Sequence, residues 1–295
     1  EMGNLDVWYA RLEMEAVIAK YGSQLKPHMV KRTEKTLAKA RTKDSMSAFA
    51  KLTLSVNGRV QIADQSPLIV PLRDLVGDLS PDAVFEQLHE LLRSYRRTLE
   101  FDRRELLEQY ELVDFARKVV GVGSVGTQAW IALLLGRDGG DPLFLQMKEA
   151  DASVLEAHLT RSAFTNHGER VVTGQRLMQA SSDIFLGWLH NPIGLDGRPR
   201  DFYARQLRDW KGSAEIDQMV PEGLSIYGRL CGWTLARAHA RSGDRIALAA
   251  YLGGGNAFDR AILEFSRAYA DQNDSDYRRL QAAVSSGRIV AETGV

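Results

Sequence analysis

Residues 118–127 read Lys-Val-Val-Gly-Val-Gly-Ser-Val-Gly-Thr, so that Gly121, Gly123 and Gly126 fall between two runs rich in β-branched and bulky apolar residues. Glycine alone moves freely into the positive-φ conformations that let a short loop turn back on itself. Without side chains to hold a ligand away, such a loop also aims several N–H groups at one anion. Two folds use glycines in this way. In a doubly wound parallel sheet, a helix starts near Gly126 and carries the pyrophosphate on its N-terminus, and Glu149 or Asp151 supplies the acid for the ribose. In a kinase-like lobe, the loop joins two antiparallel strands, the next strand carries a lysine to the phosphates, and a helix glutamate holds that lysine. A tight strand connection that binds nothing is the third possibility.

The surrounding residues favour the antiparallel arrangement. Residues 130–135 (Trp-Ile-Ala-Leu-Leu-Leu) are bulky and apolar with no polar side, which suits a strand better than a surface helix. Residues 136–142 read as a hairpin loop, and beyond Asp151 the strand and helix alternation of a parallel sheet is missing. Lys148 ends the run 143–147, where the phosphate-pairing lysine belongs. Glu156, in a short helical stretch after that strand, and Glu169, opening a helix over residues 169–180, are the candidates to hold it.

The charge balance makes any phosphate site a local affair. Lys and Arg total 38 and Asp and Glu total 38, so no global field draws the chain to nucleic acid or to an anionic membrane. With 295 residues and 44% hydrophobic positions it is long and apolar enough for one large or two smaller globular domains. A single cysteine, Cys231, excludes an internal disulfide framework and fits a reducing compartment, so a cytoplasmic location is expected. The longest apolar run, residues 129–135, falls far short of the roughly 18 needed for a membrane span. The chain opens on Glu1 with no signal segment, which leads us to expect a piece of a longer protein. No zinc-ligand spacing and no G-x-S-x-G elbow occur, and no catalytic or metal residue is assigned.

Along the chain, residues 1–112 read as mostly helical, with helical spacing over 5–20, a basic run over 27–43 and a helix capped by Ser80 with Val84, Leu88, Leu91 and Leu92 on one side. Between residues 52 and 72 alternation replaces it, with Asn57-Gly58 as a hairpin turn and Pro67 and Pro71 as edge markers. Residues 113–212 form the β lobe, including a strand over 201–208 whose Phe202, Ala204 and Gln206 face one way and Tyr203, Arg205 and Leu207 the other. Residues 213–295 are helical again, over 224–241 and 257–269. His239 and Asp244 echo a catalytic H-x-D loop, but they stand five apart and no asparagine follows at the right distance, Asn256 being too far away, so the stretch reads as a helix ending at Gly243. Arg205, Arg208 and Lys211 form a basic cluster that is either exposed strand charge or a contact for phosphate.

Residues 5–11, 117–127, 143–156 (with F-L-Q-M-K-E-A), 174–179, 202–213 (F-Y-A-R-Q-L-R-D-W-K-G-S) and 235–244 resemble, in order and over essentially the whole chain, the bacterial domain-of-unknown-function family 2252. That family is grouped with protein-kinase-like and aminoglycoside-phosphotransferase-like folds. The resemblance implies an α+β, kinase-like architecture with a small antiparallel β lobe carrying the glycine loop, plus a mostly helical lobe. It implies an ATP-binding lobe in which Gly121, Gly123, Ser124 and Gly126 cradle phosphates, Lys148 pairs with them, Glu156 orients Lys148, and Gln206 and Leu207 meet the nucleotide as the chain enters its hinge. ATP and Mg2+ are the implied cofactors of the full-length protein and the acceptor is unknown, with no nucleic acid or membrane partner. Family members look longer at the N-terminus, where a G-D-x-H-x-x-N-F-G segment and a later D-x-N-D-F-D segment resemble a catalytic loop and a metal-binding acid ahead of the glycine loop, and neither occurs here. The implied order of parts is therefore permuted, and these residues are expected to bind nucleotide weakly or not at all and to be inactive. A nucleotide-binding pseudoenzyme or sensor and a dinucleotide-dependent oxidoreductase are the alternatives.

Overall fold

The computed structural model describes residues 2–24, 30–31, 35, 38, 45–77, 80–119, 121, 126–137, 139–207 and 214–291. They divide into two compact units, Glu1–Ala238 and His239–Val295. The first unit is built on a six-stranded sheet in which every neighbouring pair is antiparallel. Its strands are β3 (Ile69–Pro71), β4 (Tyr110–Lys118), β5 (Ala129–Gly136), β6 (Pro142–Ala150), β7 (Gly187–Asn191) and β8 (Arg200–Gln206), in the order β3-β4-β5-β6-β8-β7. A separate hairpin, β1 (Thr53–Val56) and β2 (Arg59–Ile62), turns at Asn57 and Gly58 with φ of 51° and 77°, as the Asn-Gly pair predicts.

β5 shows why a strand can be apolar throughout. Trp130, Ala132 and Leu134 enter one cluster with Tyr95, Leu145, Phe202 and Ala204, while Ile131 and Leu133 enter another with Ala116 and Phe144. The first face is covered by α4 (Pro81–Arg96), whose Val84, Leu88, Leu91 and Leu92 pack on it, and by Leu107 of α5 (Phe101–Leu107). Ala48 and Leu52 of α3 (Ser45–Leu52) and Ile62 of β2 cover part of the second. A strand buried on both sides has no polar side to show. In β8, Phe202 and Ala204 lie in the first cluster, and Leu207 just past its end packs on the second, in keeping with the alternation expected from the sequence.

Some expectations needed correction. The helical spacing over residues 5–20 is broken into α1 (Asn4–Tyr9) and α2 (Met14–Tyr21), because Ala10 leaves the helix at ψ 126°. Ser80 precedes α4 as foreseen, yet its hydroxyl makes no capping bond, and the helix starts on a proline whose φ is already helical. β7 has no strand signal in the sequence, its Gly187 and Asn191 being poor strand formers. Residue 112, read as a boundary, falls within β4. The basic run 27–43 lies mostly outside the described residues.

After β6 come α6 (His167–Met178), β7, β8 and α7 (Pro221–Ser242). The second unit holds α8 (Arg245–Leu252) and α9 (Ala257–Ser285), the latter well beyond the expected end at residue 269. Among the described residues no helix is long and apolar enough to cross a membrane.

Candidate functional site

The glycine segment joins β4 to β5, antiparallel neighbours whose register runs from Tyr110 opposite Gly136 to Arg117 opposite Trp130. The helix near Gly126 that a dinucleotide fold needs is replaced by a strand starting at Ala129. Gly121 and Gly126 have φ of 116° and 84°, and among the described residues nothing lies within 4 Å of where their Cβ atoms would stand. Conformation rather than crowding therefore demands glycine at both. Gly123 and Ser124 lie outside the described residues.

Lys148 sits on β6 directly opposite Ala129, just past the loop, and opposite Tyr203 on the other side. Its side shares a face with Ile131, Phe144, Gln146, Tyr203 and Arg205, because residues paired across a ladder point the same way. Partial burial, and next the like charge of Arg205, lower the Lys148 pKa below its ordinary value. Among the described residues no carboxylate forms an ion pair with it. Glu156, in a 3-10 turn (Val154–Ala157), accepts instead from the Ser162 N–H at 3.3 Å. Glu169 is in the first turn of α6, where its N–H is capped by Asn166 Oδ1 at 2.9 Å.

Glu149, one residue on, points to the opposite face. Its Oε2 accepts from Gln128 N at 2.6 Å and its Oε1 from Arg200 Nε at 3.0 Å, while Arg200 grips both oxygens of Asp196 at 2.6 and 2.7 Å. Those bonds hold the Asp196 carboxyl far below the usual carboxylate range and raise the Arg200 pKa. Glu149 thus anchors the exit of the glycine segment to the lysine strand and is not free for a ribose. Asp151, the second acid a dinucleotide fold would use, accepts from Arg170 through its backbone carbonyl at 2.7 Å. At the end of β8, Gln206 N donates to Asp183 Oδ2 at 2.7 Å and Leu207 N to Phe144 O at 2.9 Å. Both N–H groups of the expected hinge are engaged within the protein.

α6 is held close to the sheet. A Cβ on Gly168 would stand 2.2 Å from the Phe202 carbonyl oxygen. Asp201 of β8 accepts from Asn166 Nδ2 and His167 N at 3.0 and 2.8 Å and pairs with His190 Nδ1 at 2.7 Å. None of these partners was legible as a site. The H-x-D echo is helix chemistry: Gly243 N donates to His239 O, and Asp244 Oδ1 caps α8 by accepting from Ile246 N and Ala247 N. On the face away from Lys148, a small cavity of about 90 Å³ lies between α4 and the sheet, lined by residues such as Leu88, Leu92, Phe115, Trp130 and Met147. Among the described residues no group of His, Cys, Asp and Glu is placed to hold a metal ion.

A family described as "Uncharacterized protein conserved in bacteria (DUF2252)" matches residues 1–283. No curated protein and no solved structure matches the chain.

Proposed function

The chain belongs to the DUF2252 family, and from that premise we propose that its first unit is a kinase-like nucleotide-binding lobe that takes ATP. The observation that carries this reading is the placement of Lys148 beside the exit of a glycine segment joining two antiparallel strands, with helix α6 following the lysine strand. Kinase-like lobes use the same succession of glycine loop, lysine strand and helix. Gly121 and Gly126, with Gly123 and Ser124 between them, cradle phosphate oxygens through backbone N–H groups. Lys148 then gains from phosphate the counter-charge that Glu156 does not give it. Gln206 and Leu207, whose N–H groups are engaged, meet the base through carbonyl and side-chain contacts. The reaction we assign to such a lobe, within a complete protein that also supplies the catalytic-loop and metal-binding segments, is phosphoryl transfer to an acceptor of unknown chemistry. The described residues do not fit Mg2+, since no three of their His, Cys, Asp and Glu side chains group around a common point.

Thermal-shift measurements with ATP, ADP, NAD and NADP, each with and without Mg2+, test this reading. ATP and ADP are expected to raise the melting temperature, by the equivalent of about 2.7 kcal/mol at a hundredfold excess over Kd. Lys148→Ala is expected to abolish that shift. Protection by NAD alone would overturn the assignment.

A further inference from the structure

From the register of β6 and β8 we infer that Lys148 and Arg205 form one anion site that takes the diphosphate group of a nucleotide or free pyrophosphate. Lys148 stands opposite Tyr203, and Gln146 stands opposite Arg205. The two cations are therefore diagonal neighbours on one face, within common reach of their long side chains. Gln146 is buried and Lys148 and Arg205 are partly so. Like charges drawn partly out of water are costly unless an anion joins them.

Two other arginines of this unit are paired with carboxylates. Arg200 grips Asp196, and Arg73 meets Asp114 at 3.1 Å. Arg170 and Arg237 share with Arg205 a buried Nε that lacks a partner, and Arg237 Nη2 lacks one too, yet each binds a carbonyl through another nitrogen, Asp151 O and Met178 O. Among the described residues Arg205 has no such bond and no ion pair. A guanidinium offers two donors in a fork that fits phosphate oxygens, and an ammonium adds a point charge beside it. Tyr203, on the same face, has its phenol pKa raised by partial burial against the opposing charge of Arg205 and adds a phenolic donor.

The nucleotide-lobe reading enters only in naming the ligand, so the test separates the two. Titration calorimetry of the whole chain would use sodium pyrophosphate, ADP and adenosine as probes. The wild type is expected to bind pyrophosphate and ADP. Arg205→Gln is expected to weaken both about tenfold, the worth of one forked contact, with adenosine binding unmoved. Its melting temperature without ligand should equal or exceed that of the wild type, because a poorly solvated cation is gone. If Arg205→Gln does not fold, Arg205→Lys keeps the charge without the fork and is expected to lose about threefold on both probes. Pyrophosphate and ADP binding unchanged in the Arg205 variants would overturn the site and leave the nucleotide-lobe reading standing. Pyrophosphate binding that depends on Arg205, with no gain for ADP over it, would uphold the site and sink the nucleotide-lobe reading. A wild type that binds neither probe would overturn both.

Discussion

Lys148 is held where its charge is a liability until an anion arrives. Partial burial and Arg205 lower its pKa, so the folded chain binds that proton less tightly than the unfolded chain does. The resulting cost is fully present below the lowered pKa and fades as pH rises toward the ordinary lysine value. Lys148→Met should therefore stabilise the free protein at pH 7 by about 0.5 kcal/mol, a small figure because the ammonium is still largely screened by water. In urea denaturation the advantage should shrink as the pH approaches 10, and an advantage independent of pH would rule out the charge as its cause. Tyr95 shows the opposite case. It is buried in the first cluster, donates to the Phe185 carbonyl, and is pushed well above the usual phenol pKa by burial first and Asp183 second. Its contribution is whole below pH 10 and is lost as pH climbs above it, where only the unfolded chain ionises. Tyr95→Phe should cost about 1–2 kcal/mol at pH 8 by leaving that carbonyl unpaired. The same variant should flatten the loss of stability between pH 9 and 11.

At the scale of elements, the contact between α6 and β8 is set by a missing side chain. With the Phe202 oxygen 2.2 Å from the place of a Cβ on Gly168, Gly168→Ala must push helix and strand apart. The expected loss is about 1–3 kcal/mol, read in chemical denaturation, and an unchanged midpoint would show that α6 can slide freely. Glu149 does comparable work at the exit of the glycine segment. Glu149→Ala should cost about 1–2 kcal/mol and speed amide hydrogen exchange at Gln128, while exchange in β4 stays as it was. Elements like these were partly visible in the sequence. The Asn57-Gly58 turn, the doubly covered β5 and the alternation of β8 all follow from local pattern, because each is decided by residues a few positions apart. The bonds from Glu149 to Arg200 and from Asp183 to Gln206 span 51 and 23 residues, and no periodicity announces a partner at that distance. The insertion of β8 between β6 and β7 was hidden for the same reason. Lys148 and Arg205 were each noticed, but only the strand register reveals that they share a face.

The balanced charge of the whole chain leaves the cation pair on β6 and β8 as a local feature in an otherwise neutral field, so its effect should be confined to ligands that reach it. The two units differ in how they are held together. The first buries both faces of its sheet in two clusters. In the second, Ala283 is the one buried side chain among the described residues, while Ile246, Tyr251, Phe265 and Tyr269 are exposed. Helices without a packed core draw little stability from tertiary contact and open readily. Hydrogen exchange should therefore be fast across α8 and α9 and slow across β5 and β6. All five tryptophans precede residue 239, so their fluorescence reports the first unit alone. On heating, part of the helical circular dichroism at 222 nm should be lost before tryptophan emission shifts. Coincident transitions by the two probes would mean instead that the second unit unfolds only together with the sheet.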